Sequence, residues 1–303
     1  MRTYRYLHFD VFTDRPFTGN QLAVLPDAAG LSAEEMQRIA KEMAFSETTF
    51  VLPAEAAGTE ARVRIFTPGM ELPMAGHPTI GTTYALAHER RLTPLHPTVV
   101  LGLGVGPTTV RLEWESTRLR FAWMTQSVPT FGAILADAKG LAKALALEPA
   151  DICDDALPAQ VLSSGVPFLF VPLVSRRVVD RIVVDPTALS ACYGAADMAD
   201  LPIFAFSLEA AGDDATVYSR MFAPSLGVVE DPATGGASGP LGAYLVHHGA
   251  VTAQQAAHLV NLQGMKMGRP SRIHISIGTR DGRIETVSVG GQSVLIAEGT
   301  LYV

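Results

Sequence analysis

Cysteine is nearly absent from this chain. Cys153 and Cys192 are the only two in 303 residues, with no metal-like spacing between them. That excludes a disulfide framework or a thiolate metal cluster. There is no basic stripe with interleaved aromatics. Arginines stand singly or in pairs (Arg90-Arg91, Arg176-Arg177) and the net charge is −7, so nucleic acid is not an expected partner. No long apolar run exists either. The longest, Val166 to Val174, carries two prolines and falls far short of the roughly 20 residues that span a bilayer, so no membrane partner is expected. The opening residues Met1 to His8 lack the apolar stretch of a signal peptide, and a cytoplasmic location is the expectation. Gly-Lys-Ser/Thr phosphate loops and Gly-x-Ser-x-Gly elbows are missing, and His247-His248 lack the carboxylate spacing of a zinc site. Gly102-Leu103-Gly104-Val105-Gly106 looks like part of a dinucleotide fingerprint, but Pro107 and a strand come next, so it reads as a strand and turn. Neither an organic cofactor nor a metal is expected.

What is present is said twice. Arg64-Ile65-Phe66-Thr67-Pro68 matches Arg220-Met221-Phe222-Ala223-Pro224, and Glu71-Leu72-Pro73-Met74-Ala75-Gly76 matches Glu230-Asp231-Pro232-Ala233-Thr234-Gly235. Six of these eleven pairs are identical, with three extra residues in the second copy. The period, 156 to 159 residues, is far too long for a solenoid, whose units run about 20–50 residues. It reads as two related halves, and a cleft between such halves is a favoured ligand site. Length and a 48% hydrophobic composition fit two domains with substantial cores.

Each copy runs into a segment of small and apolar residues. The segments 77–91 and 237–248 carry few charges before their last turn, the mark of a helix buried on all sides. Pro78 sits in the first turn, where proline is tolerated. Ser32 to Glu35 and Thr252 to Gln255 are capping boxes, predicting helices to about Ala44 and Asn261. Residues 133–147 also read as a helix. Strands are predicted at 4–12, 22–25, 48–52, 62–67, 98–103, 108–114, 119–123, 160–162, 168–174, 203–207, 216–221, 272–277, 284–289 and 293–303. Strands outnumber helices and often succeed one another directly, so the class is α+β rather than doubly wound α/β. The expected architecture is two pseudo-symmetric halves, 1–124 and 125–292, each a mostly antiparallel sheet around a buried helix. The last strand, 293–303, is expected to return to the first half.

The chemistry-bearing positions cluster at the repeats. Gly76 and Gly235 stand where helices begin, and helix N-termini favour carboxylates and developing oxyanions. A small anionic substrate would suit such ends. Glu47 lies at the start of a strand among aromatics and threonines, where desolvation raises a carboxylate toward the range of a general base. His77 and Asp231 lie beside the two glycine motifs. Each also has a plain structural reading: Glu47 as a surface glutamate, Asp231 as an aspartate turn or cap, and His77 as a polar first-turn residue.

Ser46-Glu47-Thr48-Thr49-Phe50-Val51, Glu71 to Gly81 and Glu230 to Gly235 closely resemble the PhzF-like phenazine-biosynthesis isomerase family. Phe17-Thr18-Gly19-Asn20, Gly268-Arg269-Pro270-Ser271 and Val289-Gly290-Gly291-Gln292 look like its landmarks as well. The resemblance runs nearly end to end. It implies the diaminopimelate-epimerase-like fold, with the site between two similar halves, and cofactor-free isomerase chemistry. The best-known member shifts a proton within a dihydro-hydroxyanthranilate ring. Its catalytic glutamate matches Glu47, its supporting histidine and aspartate match His77 and Asp231, and its paired glycine amides match Gly76 and Gly235. Asn20 and Gly236 join these two glycines as expected substrate-binding positions, and a homodimer is implied by the family alone. The thiols of epimerase relatives match Ala75 and Thr234, so a two-thiol racemase is not expected. One departure stands out: the phenazine isomerase has serine where this chain has Gly236, which implies a changed substrate. The competing class is a non-catalytic small-molecule binding protein that keeps the same cleft.

Overall fold

The computed structural model describes residues 1–153, 156–209 and 213–303. The chain divides into two compact units. One comprises 1–126, 269–273 and 288–303, the other 127–268 and 274–287. Each is a mostly antiparallel sheet around a central buried helix, the α+β class expected.

In the first unit the elements run β1 (Thr3–Val11), β2 (Asn20–Leu25), α1 (Ala33–Met43), β3 (Glu47–Leu52), β4 (Ala61–Phe66), β5 (Glu71–Leu72), α2 (Gly76–His88), β6 (Thr98–Leu103), β7 (Gly106–Glu115) and β8 (Arg118–Gln126). β1–β2 and β3–β4 pair antiparallel and β2–β3 parallel. β4 takes β5 antiparallel and β6 parallel, and β6–β7–β8 is a meander. The Gly102–Gly106 stretch is the β6–β7 hairpin, as its proline implied.

The second unit runs β9 (Thr130–Ile134), α3 (Ala138–Ala144), β10 (Gln160–Ser163), β11 (Pro167–Pro172), α4 (Arg176–Arg181), α5 (Pro186–Ala195), β12 (Ile203–Ser207), β13 (Val217–Ala223), β14 (Val228–Asp231), α6 (Gly235–His247), α7 (Ala253–Ala256) and β15 (Leu259–Gln263). Its pairing repeats that of the first unit: β10–β11 antiparallel, β11–β12 parallel, β12–β13 antiparallel, then β13 with β14 antiparallel and β15 parallel. β16 (Ser271–Arg280) and β17 (Arg283–Gly291) contribute residues to both units, and β18 (Ser293–Tyr302) pairs antiparallel with β1.

The central helices are buried because their sequences offer nothing to water. All residues of α2 from Gly76 to Leu86 are buried, and α6 is buried at all positions from Gly235 to Leu245 except Gly236. Small residues let strands approach closely. A Cβ at Gly81 would meet Leu22 Cδ2 at 2.4 Å. Pro78 falls among the first-turn N–H groups that have no intrahelical partner, so it costs α2 little. On the opposite sheet face of the first unit, Met36, Ile39 and Ala40 of α1 pack with Phe50 and Phe66.

Both capping boxes form as expected at Ser32 and Thr252. Two helix extents are corrected. Residues 133–147 are not one helix. β9 runs to Ile134, paired with β10, and α3 starts only after Asp137, whose carboxylate accepts from the Gly140 N–H at 2.9 Å. The helix opened by Thr252 ends at Ala256, because Asn261 and Leu262 pair with Val217 and Tyr218. Tertiary pairing overrides local propensity there. Helices α4 and α5, capped by Ser175 and Asp185, were not expected from the sequence. Cys192 is a buried free thiol. No helix among the described residues is long and apolar enough to cross a membrane.

The repeated motif has a structural purpose. Arg64 grips Glu71 with two hydrogen bonds of 2.8 and 2.7 Å, and Arg220 grips Glu230 at 2.9 and 2.8 Å. Each guanidinium also lies over the phenylalanine two residues on, Phe66 at 5.1 Å and Phe222 at 4.7 Å. The fork holds the Glu71 carboxyl below the usual carboxylate range. The copies differ in burial. The Arg220 and Glu230 side chains are 9% and 13% exposed, against 22% and 38% for Arg64 and Glu71. Arg220 Nη1 further donates to the carbonyls of Val179, Asp180 and Ile182. Arg220→Met, which leaves a carboxylate buried and unpaired, is expected to cost about 3–5 kcal/mol. Arg64→Met is expected to cost about 1 kcal/mol or less. Urea unfolding of the two variants checks this, and equal losses would contradict it.

Candidate active site

The first unit brings together Glu47, His77, Asn20 and Gly76. Glu47 opens β3. Strand alternation puts it on the same face as Thr49, and Thr49 accepts a 2.9 Å hydrogen bond from Thr82 of α2. The face that carries Glu47 is therefore the one covered by the central helix. Gly76 and His77 are the first two residues of that helix. The helix start has no capping side chain, so its positive end is not spent on one. Thr79 instead turns its hydroxyl back to the Ala75 carbonyl at 2.7 Å.

His77 is 3% exposed. As oriented, the Asn20 amide donates to its Nδ1 at 3.2 Å. An accepting Nδ1 places the ring proton on Nε2. That nitrogen lies 3.2 Å from Glu47 Oε2, out of hydrogen-bond alignment. The approach would be an ion pair if the ring were protonated. It is not, because burial pushes the His77 pKa down to about 3, only partly opposed by the Gln21 backbone carbonyl. A neutral imidazole thus stands with its Nε2 beside a carboxylate whose side chain is 15% exposed.

The second unit gathers Asp231, Gly235 and Gly236. Asp231 ends β14 and is 6% exposed. Its Oδ2 accepts from the Thr234 hydroxyl at 2.5 Å. Thr234 is the N-cap residue of α6, without a side-chain cap bond, and Ser238 returns its hydroxyl to the Thr234 carbonyl at 2.9 Å. That is the counterpart of Thr79 on Ala75. Gly236 is half-buried, and a Cβ built there meets no atom within 4 Å.

Sequence reasoning missed the residues that hold this second set. Gln263 donates to the Asp231 carbonyl at 2.7 Å and to the Thr234 hydroxyl at 2.9 Å, while its Oε1 accepts the Thr234 N–H at 3.0 Å. Asn261 links Ser238 at 3.4 Å and Ser219 at 2.8 Å. Both amides are fully buried. The signal lay in Leu259-Val260-Asn261-Leu262-Gln263. Two amides on one face of an apolar strand must be satisfied by partners. Among the described residues, no group of three or more His, Cys, Asp or Glu side chains stands where it could hold a metal ion.

The family model for phenazine biosynthesis-like proteins matches residues 9–299. The trans-2,3-dihydro-3-hydroxyanthranilate isomerase of Pseudomonas chlororaphis is 38% identical over 298 residues, covering 98% of this chain and 99% of that protein. The crystal structure of a Bacillus anthracis phenazine biosynthesis protein of the PhzF family matches with a TM-score of 0.87 at 29% identity, covering 100% of both chains. A hydroxyproline epimerase from Agrobacterium vitis, with bound trans-4-hydroxy-L-proline, matches at a TM-score of 0.65 and 12% identity, over 99% of this chain and 92% of that one. The last is a likeness of fold alone.

The depressed His77 pKa has a consequence for stability. In the unfolded chain an imidazole titrates near its ordinary value of about 6.5, whereas in the fold it stays neutral down to about 3. Below about 6.5 the unfolded state therefore binds a proton that the native state refuses, and stability is lost as pH falls. His77→Gln is expected to flatten the slope of unfolding free energy between pH 4 and 6 by about 1.4 kcal/mol per pH unit, the value for one proton. Urea titrations at several pH values measure this. An unchanged slope would mean that His77 is protonated in the fold.

Proposed function

We propose that this chain, which belongs to the phenazine biosynthesis-like family and is an isomerase, carries a proton from carbon to another position of one small carboxylate-bearing substrate. The observation that carries this reading is Glu47 beside a neutral, buried His77 at the start of an uncapped helix.

Glu47 is the base. Its carboxylate takes the proton from carbon and, as the acid so formed, returns it elsewhere on the same molecule. One carboxylate suffices if the intermediate is kept from water. The electron pair left by the departing proton delocalises onto the substrate. N–H groups at the starts of α2 and α6 are assigned to hold the developing charge, a task suited to preorganised dipoles. His77 serves as a donor rather than a cation. With its proton on Nε2 it stands beside the carboxylate without placing a positive charge against it. Asp231, with Asn20, Gly76, Gly235 and Gly236, is assigned to substrate binding. No step here calls on a cofactor.

The Pseudomonas relative supplies the first substrate to try, trans-2,3-dihydro-3-hydroxyanthranilate. Glu47→Gln keeps the size and hydrogen bonding of the side chain but removes the base. It is expected to lower turnover at least about 10²-fold with a much smaller change in affinity. Near-normal turnover would overturn the assignment and make Asp231 the next candidate base.

The open space at Gly236 gives a second test. Gly236→Ser fits without a clash and restores the hydroxyl that the family resemblance implies. Its expected effect is a gain of about tenfold in kcat/KM on the relative's substrate, the worth of one added hydrogen bond. Comparison of kcat/KM for the two proteins measures it. An unchanged ratio would mean that the missing hydroxyl does not set substrate choice.

A further inference from the structure

The turn between β1 and β2 is held by more than a turn needs. Asp10, the second-last residue of β1, is 1% exposed, and its two oxygens have separate partners. Oδ2 accepts the Phe17 N–H at 2.6 Å. Oδ1 accepts Arg269 Nη2 at 2.5 Å. The same guanidinium donates to the Thr18 carbonyl from Nη2 at 2.9 Å and to the Gly19 carbonyl from Nε at 2.8 Å. One buried carboxylate and one arginine thus pin three consecutive backbone residues.

Two of those residues are in an uncommon conformation. Phe17 has φ +67°, which bulky side chains rarely adopt, although its ring is 73% exposed. Gly19 has φ +69°, and a Cβ there would meet the Val11 carbonyl oxygen at 2.3 Å. The ring of Phe17 gains little burial in return, so packing does not explain the shape. The other basic group near the Asp10 carboxylate, His8 Nε2 at 3.9 Å, is beyond hydrogen-bonding distance, and burial lowers its pKa.

The pinned residues lead directly into Asn20, whose amide donates to His77 Nδ1. Asn20 is 1% exposed and has a fixed register, opposite Val11. A buried ion pair is weak as a source of net stability, because desolvating both charges offsets their attraction. It is strong as a means of fixing one geometry, since an arginine fork meets several acceptors in set directions.

We propose that Asp10 and Arg269 are positioning residues that fix the tautomer of His77 by way of the Phe17–Asn20 turn. With the turn held, Asn20 donates to Nδ1 and the ring proton stays on Nε2, toward Glu47. With the turn released, Nδ1 can carry the proton and Nε2 faces a carboxylate with a lone pair. The inference rests on the reading of Glu47 and His77 as the working pair, but its main test does not need a substrate.

That test is nitrogen NMR of the full chain with labelled histidine, the His77 signals being identified by their loss in His77→Gln. Wild type is expected to show an unprotonated Nδ1 and a protonated Nε2. In Arg269→Met both resonances should move toward the average of the two tautomers, and Asn20→Ala should give the same change. If Arg269→Met does not fold, Arg269→Lys carries the test. It keeps a charge beside Asp10, but one ammonium cannot span the carboxylate and both carbonyls, so the shift has the same direction and smaller size. A wild-type His77 pattern in a folded Arg269 variant, or in Asn20→Ala, overturns the proposal. On any substrate that wild type turns over, Arg269→Met should lower kcat by about 10²-fold, the effect of a misplacement near 1 Å, and leave KM within about threefold. An unchanged kcat counts against it equally. Absence of wild-type turnover would sink the proposed reaction and leave the NMR result to decide the positioning role.

Discussion

An arginine closing on a glutamate decides where each central helix begins. In both halves the glutamate stands five residues before the first helical glycine, Glu71 before Gly76 and Glu230 before Gly235. The fork ties that glutamate to β4 or β13, so the short loop after it has one length and one exit. The chain then passes into a helix so apolar that its only stable place is inside the sheet. The chemistry of the site depends on that passage. A buried helix start brings its positive end, and the residues next to it, out of water.

Burial then sets the chemistry. A histidine in water near neutral pH is half a switch, but His77 is kept neutral by the cost of placing charge in the core. Its neighbours fix the remaining freedom, with Asn20 on one nitrogen and Glu47 facing the other. The second half solves a related problem without a histidine. Asp231 is held by Thr234, and Thr234 by Gln263, so a chain of neutral donors surrounds one carboxylate. The repeat preserved the scaffold, visible in Thr79 on Ala75 and Ser238 on Thr234, and let the side chains at the helix entrance diverge.

Much of this was legible in the residues because it is local. Low charge in 77–91 and 237–248 announced buried helices, Ser32 and Thr252 announced helix starts, and the doubled motif announced related halves. What failed was non-local. Thr252 opens a helix correctly, but its end was set by β13, more than thirty residues upstream in sequence. Gln263 and Asn261 were unreadable as site supports while their strand was mistaken for a helix end. Arg269 was visible as a landmark, yet its partner Asp10 lies 259 residues away, and no spacing rule reaches that far. Gly76 and Gly235 could be read from the repeat as helix starts, whereas the role given to Glu47 came chiefly from family resemblance, since alone it reads more readily as a surface glutamate.

The central claim is that Glu47 moves a carbon-bound proton. The most direct measurement is isotope transfer. The protein is given trans-2,3-dihydro-3-hydroxyanthranilate deuterated at the carbon that loses its proton, in ordinary water, and carbon-bound deuterium in recovered substrate and product is tracked by mass spectrometry and NMR. The account predicts that wild type delivers label from that carbon to the new position in the product, and that Glu47→Gln forms no such product above the uncatalysed background even when the substrate is bound. Transfer at the same rate in both proteins, or complete loss of the label to water with wild type, would contradict it.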